Sequence, residues 1–220
     1  MSATAETGVA MRIILPDAHR RMPWKNGAGT TTEIAIDPPG ADVAGRFRWR
    51  LSIADVERSG PFSAFPGYDR TIMVIAGGGM ELAVGQRPAQ RLDRLFVPFV
   101  FSGDTPAECR LLEGPIRDFN LMAERSSARS HLEVLHLGDA PHLCDVLLGD
   151  LIVHCFDGGV DFAVPAGALA GALPADGTAI ITNAGRAHQV LQLSAAGGRA
   201  TVAIIEMTPV GATLPSPTLG

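Results

Sequence analysis

The amino-acid sequence predicts an all-β protein with two stacked or fused antiparallel β-barrels. Short apolar or alternating segments recur along the 220 residues, and 25 glycines and 16 prolines punctuate most of the gaps. No long amphipathic helix lies between these segments. We expect a first barrel over residues 11–122 and a second over 123–210, an arrangement that allows strands to be exchanged. Residues 1–10 are predicted to be a disordered leader and residues 211–220 a loose tail.

Composition limits the class of protein. The chain is 46% hydrophobic and 19% charged, which is typical of a globular domain, and its net charge of −5 provides no basic surface for nucleic acid. No apolar run reaches the roughly 20 residues that a membrane helix needs. The N-terminus lacks the basic and apolar regions of a secretory signal, so a cytoplasmic location is expected. The three cysteines (Cys109, Cys144, Cys155) show no CxxC spacing, which argues against disulfides and structural zinc.

The six histidines do not form a metal-binding motif. None makes a His-x-His pair, and His19 is the only histidine in the first half of the chain. The first barrel is therefore predicted to bind no metal, and no cofactor is expected. A site formed by His154 and His188 in the second barrel is the less favoured alternative.

The first two strands enclose a glycine-rich stretch. Residues 11–15 are predicted to form a strand that Pro16 ends, and residues 30–36 form the next because threonine and isoleucine favour a pleated surface. Between them, Asn26-Gly27 and a second glycine two residues later favour a turn whose N–H groups suit an anion, with Lys25 beside it. The alternative is a tight loop in which Trp24 fills the core and Lys25 faces solvent.

Residues 46–53 show the clearest strand pattern. Apolar residues alternate with polar ones in the order Arg46, Phe47, Arg48, Trp49, Arg50, Leu51, Ser52 and Ile53. A period of two places the apolar side chains in a hydrophobic layer and the polar ones on the opposite face. We expect the first two arginines to face water, whereas Arg50 and Ser52 point into the barrel if this strand lines one.

The remaining strands follow from similar patterns. Residues 71–76 are predicted to be buried and to end at three glycines, across which residues 80–84 return as a hairpin partner. Residues 95–101 contain Pro98, which marks an edge or a bulge, and residues 107–112 follow. Residues 117–122 place Asp118 and Asn120 on one face. The strands predicted in the second half are residues 131–137, 151–156, 160–164, 178–182, 188–193 and 201–207. Residues 166–173 have a weak helical pattern that two glycines oppose.

Several motifs in the first half occur together in one known family. They are Pro23-Trp24-Lys25-Asn26-Gly27, Gly29-Thr30-Thr31, Glu33, Trp49-Arg50-Leu51-Ser52-Ile53-Ala54, Gly60-Pro61-Phe62-Ser63, Phe65-Pro66-Gly67, Asp69-Arg70-Thr71, Gly114-Pro115 and Arg117-Asp118-Phe119-Asn120-Leu121-Met122. Together, over residues 22–122, they resemble the HutD/Ves family of bicupins, which is associated with bacterial histidine utilisation. The second half resembles that family only in length and strand rhythm. The chain departs from the family pattern at Ala28, where a glycine is usual, and at Thr32, where a basic residue is usual.

The resemblance implies a fold and a function. The fold is the double-stranded β-helix (cupin), present twice as two antiparallel barrels, with a small-molecule pocket in the first. The function is to restrain histidine catabolism by sensing an intermediate such as formylglutamate or urocanate.

The polar residues of the first half suit recognition of a small anion. Lys25 and Arg50 supply cations, and Glu33 or Asp118 accepts an N–H from an amide or an imidazole. The complete set of predicted ligand-binding residues is Lys25, Asn26, Thr31, Glu33, Arg50, Ser52, Asp118 and Asn120. We predict a non-enzymatic binding protein whose partner is this metabolite, with no nucleic acid or membrane partner, and a homodimer through a sheet edge.

Other interpretations remain open. A metal-independent enzyme acting on the same metabolites would use Glu33 as its acid or base. Alternatively, Glu33 pairs with Arg50 in a purely structural role, or the pocket is vestigial and the protein is a structural partner.

Overall fold

The computed structural model describes residues 2–4, 9–164, 169–184 and 189–211. In the described residues, the regular secondary structure consists of β-strands and a single 3₁₀ turn at Pro16–Ala18. The predicted all-β class is therefore confirmed. No helix in the described part is long and apolar enough to cross a membrane.

Twelve strands lie before residue 125. They are β1 Ser2–Thr4, β2 Val9–Ile14, β3 Arg20–Pro23, β4 Gly29–Asp37, β5 Trp49–Val56, β6 Gly60–Phe62, β7 Tyr68–Gly77, β8 Met80–Val84, β9 Gln90–Leu92, β10 Phe99–Ser102, β11 Ala107–Leu111 and β12 Ile116–Glu124. Six more follow: β13 Ala128–Leu137, β14 His142–Val146, β15 Gly149–Val164, β16 Leu169–Pro174, β17 Thr178–Asn183 and β18 Gln189–Pro209.

The chain divides into two compact units, of which one is Ala18–Ala128 and the other combines residues 1–17 with 129–220. The second unit contains one eight-stranded sheet, in which β2 pairs antiparallel with β17. Strand β2 therefore belongs with the C-terminal strands, although the sequence places residues 11–15 in the first barrel. The predicted leader also differs, because β1 pairs with β2 and β2 begins at Val9. Residues 5–8, and residues 212–220 of the predicted tail, lie outside the described residues.

The Ala18–Ala128 unit consists of two sheets that share a hydrophobic core. One sheet has six strands in the order β10-β7-β12-β5-β4-β3, and the other has four in the order β6-β11-β8-β9. Side chains from both sheets pack in one buried cluster, including Ala54 and Val74 from the first sheet and Met80 and Leu82 from the second. One face of the six-stranded sheet therefore turns toward the four-stranded sheet.

The glycines at 77–79 connect the two sheets rather than closing a hairpin. Strand β8 pairs with β9 and β11, and not with β7 as the sequence predicts. Gly77 has a φ of 95°, and a Cβ there would lie 2.5 Å from the Pro115 carbonyl oxygen. The chain thus passes too close to its neighbour for a side chain, and the turn redirects it to the other sheet.

Other predicted strands differ in extent. Strand β5 begins at Trp49 and not at residue 46. Residues 151–156 and 160–164 form a single strand, β15, because bulges near Gly158 bend it without ending its pairing with β18. Strand β18 likewise unites two predicted strands, and it begins after His188, which lies outside the described residues. The weak helical pattern at residues 166–173 falls partly on β16.

Candidate functional site

The inward face of the six-stranded sheet carries an unusual set of polar side chains. In the register of β5, β12 and β7, Met122 of β12 lies between Arg50 of β5 and Arg70 of β7, and Asn120 lies opposite Ser52. Opposed residues of antiparallel strands point to the same side of a sheet. Two residues before Asn120 on β12, Asp118 lies between Ala54 and Val74, which both belong to the shared core. The polar group is therefore enclosed with the apolar core.

Strand β4 adds two further predicted residues to this face. Thr31 lies opposite Ala54 of β5, and Glu33 lies opposite Ser52, next to a bulge. Arg50 Nε donates a hydrogen bond to Glu33 Oε2 at 2.7 Å, and Arg50 Nη1 lies 3.5 Å from Ser52 Oγ. Both charged residues are buried. This contact agrees with the predicted inward direction of Arg50, which meets one of the carboxylates expected for it.

Arg70 is the main residue of the site that the sequence interpretation left without a role. Its side chain is buried, and its guanidinium carbon lies 4.9–5.9 Å from the ring centres of Phe62, Phe65 and Phe101. It donates hydrogen bonds to the Ser63 carbonyl oxygen at 3.2 Å and to Asn120 Oδ1 at 2.8 Å. The signal was available, because Arg70 is in phase with the core residues two and four positions later in β7.

Asn120 connects Arg70 to Asp118. While its Oδ1 accepts from Arg70, its Nδ2 donates to Asp118 Oδ1. Two atoms at the ends of this chain, Arg70 Nε and Asp118 Oδ2, are buried without a hydrogen-bond partner in the described structure. Buried polar atoms are rarely left unpaired, because each loses its hydrogen bonds to water.

Burial controls the ionisation of Asp118 and Arg70, the two charged residues that Asn120 links. Burial raises the pKa of Asp118 to about 7, although the charge of Arg70 and the hydrogen bond from Asn120 oppose the change. Burial also lowers the pKa of Arg70 to about 10, and the positive charge of Arg50 contributes to that decrease. Arg70 therefore remains charged at neutral pH, whereas Asp118 changes its charge near neutrality.

Solvent reaches the edge of this face at Arg20. Its Nη2 lies 3.3 Å from Glu33 Oε1, and its side chain is 60% exposed while that of Glu33 is 9% exposed. Both oxygens of Glu33 are therefore held by arginines, one buried and one at the surface. This geometry suits Glu33 as an anchor for Arg50 better than as a general acid or base.

Six of the eight predicted residues lie on this inward face, and Lys25 and Asn26 do not. The six inward residues are Thr31, Glu33, Arg50, Ser52, Asp118 and Asn120. Lys25 and Asn26 are both exposed in the turn between β3 and β4. The Gly27 N–H donates to the Trp24 carbonyl oxygen, and the Ala28 N–H donates to Asn26 Oδ1. These donors are used within the turn and do not form the predicted anion concavity. Trp24 partly agrees with the alternative interpretation, since it is half-buried against the core and donates from Nε1 to Thr31 Oγ1 at 2.7 Å.

The two departures from the family pattern have small structural consequences. Ala28 is absent from the described non-glycine residues with positive φ, which are Phe96 and Asp176, so it carries no left-handed strain. Thr32 lies opposite Ile53, on the other face of β4 from Glu33. A basic residue at position 32 would therefore point away from the buried polar face.

Two surface clefts are separate from this face. The first has a volume of about 1000 Å³, and its lining includes Arg21, Asp55, Arg58 and Arg117. The second has a volume of about 940 Å³, and its lining includes Phe65. Neither contains any of the six inward residues. In the first cleft, Asp55 already pairs with Arg21 and Arg117 at partly exposed positions. Among the described residues, no group of three or more His, Cys, Asp or Glu side chains is placed to hold a metal ion.

Comparison with solved structures defines the class of protein. Hazelnut (Corylus avellana) vicilin shares the β fold with a TM-score of 0.61 at 9% identity, over 90% of this chain and 86% of that one. The protein thus has a cupin-like all-β fold whose buried face carries arginine and carboxylate side chains. The HutD family model matches residues 16–201, and the chain belongs to the HutD family. The match confirms the resemblance and extends it into the second half of the chain.

Individual relatives agree with this assignment. A protein from the hutC 3′ region of Pseudomonas putida is 46% identical over 123 residues, and protein Ves from Cronobacter sakazakii is 38% identical over 119. These matches cover 56% and 52% of this chain and 63% of each relative, so the chain spans less than two thirds of their length.

Two solved structures are similar over nearly the whole chain. A conserved protein of unknown function from Pseudomonas aeruginosa PAO1 has a TM-score of 0.82 at 38% identity, covering 90% of this chain and 98% of that one. HutD from Pseudomonas fluorescens SBW25 has a TM-score of 0.76 at 32% identity, covering 91% and 100%.

Proposed function

We propose that this protein binds a small carboxylate-bearing metabolite on the inward face of its Ala18–Ala128 unit and thereby senses the state of histidine catabolism. The observation that carries the proposal is Arg70. It is a buried cation whose direct hydrogen bonds go to the neutral acceptors Ser63 and Asn120, and within the described residues no carboxylate forms a salt bridge with it.

A buried guanidinium with this environment favours an incoming anion. Removing a charge from water is costly unless an opposite charge or a full set of hydrogen bonds compensates. Arg70 retains an unpartnered Nε, and the three phenylalanine rings around it hold its plane in place. A carboxylate would provide both the missing charge and the missing acceptor.

Arg50 supplies a second cation on the same face. Glu33 holds its Nε at 2.7 Å, which fixes the direction of the guanidinium. Ser52, Asn120 and Thr31 add neutral donors and acceptors in the same rows of the sheet. Such a set suits a small anion with an additional polar group, a description that formylglutamate and urocanate both meet.

The names of the relatives supply the biological setting of the proposal. One relative lies beside hutC and one solved neighbour is HutD, described under a formate condition. By analogy, we assign this chain to the control of histidine utilisation, acting on the pathway without catalysing a step. The proposal includes two closed cupin barrels, one per compact unit, of which the Ala18–Ala128 unit binds the ligand.

Calorimetry on purified protein tests the proposal, with N-formyl-L-glutamate, urocanate and formate as ligands. We expect at least one to bind, and we expect Arg50→Lys to keep the fold and weaken binding, because lysine cannot form a two-pronged contact with a carboxylate. The loss of one charge-assisted hydrogen bond corresponds to about 1.5–3 kcal/mol, or roughly 10- to 100-fold in affinity.

Arg110→Lys is the matched control, because Arg110 is 63% exposed and pairs only with Glu81 in the described contacts. It should bind like the parent protein. Absence of binding by all three ligands, or equal binding by Arg50→Lys, would contradict the proposal. Incubation with each ligand under NMR observation tests the enzymatic alternative, for which we expect no turnover.

A further inference from the structure

The Asp118 side chain is the most completely buried charged group on the inward face. Its exposed fraction is 0%, and it accepts one hydrogen bond, at Oδ1, from Asn120. Oδ2 has no partner in the described structure. The sequence interpretation treats this carboxylate as an acceptor for a ligand N–H, but the arrangement of its neighbours favours the opposite role.

We propose that Asp118 meets the bound carboxylate as a neutral carboxylic acid that donates a hydrogen bond from its Oδ2–H to the ligand, so that each ligand binds together with one proton. This inference rests on the proposed function and adds the role of Asp118 in selecting the ligand. The occupied Oδ1 already acts as a carbonyl-type acceptor, so Oδ2 is the position available for the proton.

The balance of buried charges supports this role. The buried face holds two cations, Arg50 and Arg70, and two carboxyl groups, Glu33 and Asp118. Glu33 is committed to Arg50 at 2.7 Å. A ligand carboxylate at Arg70 would make three negative charges against two buried positive ones if Asp118 stayed ionised. Protonation of Asp118 restores the balance, and its O–H then bonds to the ligand oxygen.

The groups that act on Asp118 come from several strands. Arg70 on β7, Asp55 on β5 and Asn120 on β12 act on it directly, Arg50 on β5 acts on Arg70, and Cys109 on β11 is itself affected by the Asp118 charge. Arg70 and Asn120 favour the ionised form, whereas burial and the negative charge of Asp55 favour the neutral form. Burial and Asp118 raise the pKa of the Cys109 thiol to about 12, so that this neighbour stays neutral. The negative charge of a bound anion would also favour the neutral form of Asp118.

The proton comes from solvent and resides on Asp118 Oδ2 in the complex. Because burial raises the pKa of Asp118 to about 7, the free protein is largely protonated below that pH and largely ionised above it. Proton uptake on binding should therefore approach one per ligand near pH 8 and vanish near pH 5.5. Affinity should be constant at low pH and should fall about tenfold per pH unit above pH 7.

Calorimetry in two buffers of different ionisation enthalpy measures this proton directly, with N-formyl-L-glutamate and formate as probes. We expect close to one proton taken up per ligand at pH 8 in the wild-type protein. Asp118→Asn keeps the shape and a hydrogen-bond donor but cannot titrate. We expect this variant to bind with no proton uptake and with an affinity that does not change between pH 6 and 8.

Asp93→Asn provides the control, because this exposed carboxylate pairs with Arg91 and is not among the groups that shift the pKa of Asp118. It should retain the proton uptake of the wild-type protein. Binding without proton uptake at pH 8 would overturn this role of Asp118 and leave the proposed function standing. That result would favour the alternative in which ionised Asp118 accepts a hydrogen bond from a ligand N–H. Failure of both probes and of urocanate to bind the wild-type protein would overturn both proposals. The wild-type measurement decides the inference even if Asp118→Asn does not fold.

Discussion

Arg70 and Asp118 lie on different strands of one sheet, and the Asn120 side chain links them. Each buries a charged or titratable group without satisfying all of its polar atoms. Such an arrangement is expected to reduce stability, since well-packed apolar residues often stabilise a site more than buried charges do. At the scale of single residues, the proposed function therefore implies that the site loses stability in return for binding an anion.

The double variant Arg70→Met/Asp118→Asn tests this exchange. It removes both charges and gives the surrounding phenylalanine rings a sulfur-containing side chain of suitable size. We expect stability in urea equal to that of the wild-type protein or higher by about 1–3 kcal/mol, and complete loss of carboxylate binding. Asp118→Asn alone is the comparison, and a double variant that is several kcal/mol less stable would show that Arg70 is needed for the fold.

The pH dependence of stability gives an independent test of Asp118. Burial raises the pKa of this group from its ordinary 3.8 to about 7, so the folded state favours the protonated form. Its favourable contribution is fully present below about pH 4 and is lost as the pH rises to about 7. Relative to Asp118→Asn, the wild-type protein should lose up to about 4 kcal/mol of unfolding free energy across this interval. Parallel curves for the two proteins would contradict the assignment.

At the scale of elements, the turn between β7 and β8 decides how the two sheets of the Ala18–Ala128 unit are connected. Gly77 combines a φ of 95° with an approach to Pro115 and Ile116 that leaves no room for a Cβ. Gly77→Ala should therefore cost about 2 kcal/mol or more in chemical denaturation. Gly114→Ala separates the two causes, because Gly114 has a φ of 72° but open space around it, and we expect a cost of about 1 kcal/mol.

Strand β10 forms an edge of the six-stranded sheet, as Pro98 suggested. Val100 on this strand is 65% exposed, and Leu95 and Val97 just before it are also exposed. Exposed apolar residues at a sheet edge are compatible with the predicted homodimer, which stays a prediction. Analytical ultracentrifugation at several protein concentrations would measure it, with Val100→Lys as the variant expected to remain monomeric if this edge is the interface.

At the scale of the whole molecule, the N-terminal strand belongs to the unit formed mainly by the C-terminal half. Val9 is buried in the core of that unit, and Met11 and Ile13 pack against it. Deleting residues 1–14 would remove these side chains and leave β17 unpaired on one side. We expect a loss of about 3 kcal/mol or more, seen as a lower urea midpoint and faster amide exchange in β17. Deleting residues 1–8, which keeps β2, should have a much smaller effect.

The sequence alone was sufficient for the all-β class, and its motifs were sufficient for the family. Local alternation rules, by which the side chains of a strand point to opposite faces with a period of two, put Arg50 with Ser52 and Asp118 with Asn120 on shared faces. They also contained the signal for Arg70, which the alternation of β7 places beside core residues.

Only the tertiary structure decided which strands pair and which polar atoms remain unpartnered. The pairing of β2 with β17 joins residues far apart in the chain, and the turn at Gly77 leads to a different sheet, so neither is visible in a local pattern. The same holds for the site: Glu33 is committed to Arg50 and Arg20, and Asp118 Oδ2 is left buried and unpaired. Ionisation depends on burial and on neighbours from other strands, and those are properties of the folded chain rather than of the sequence order.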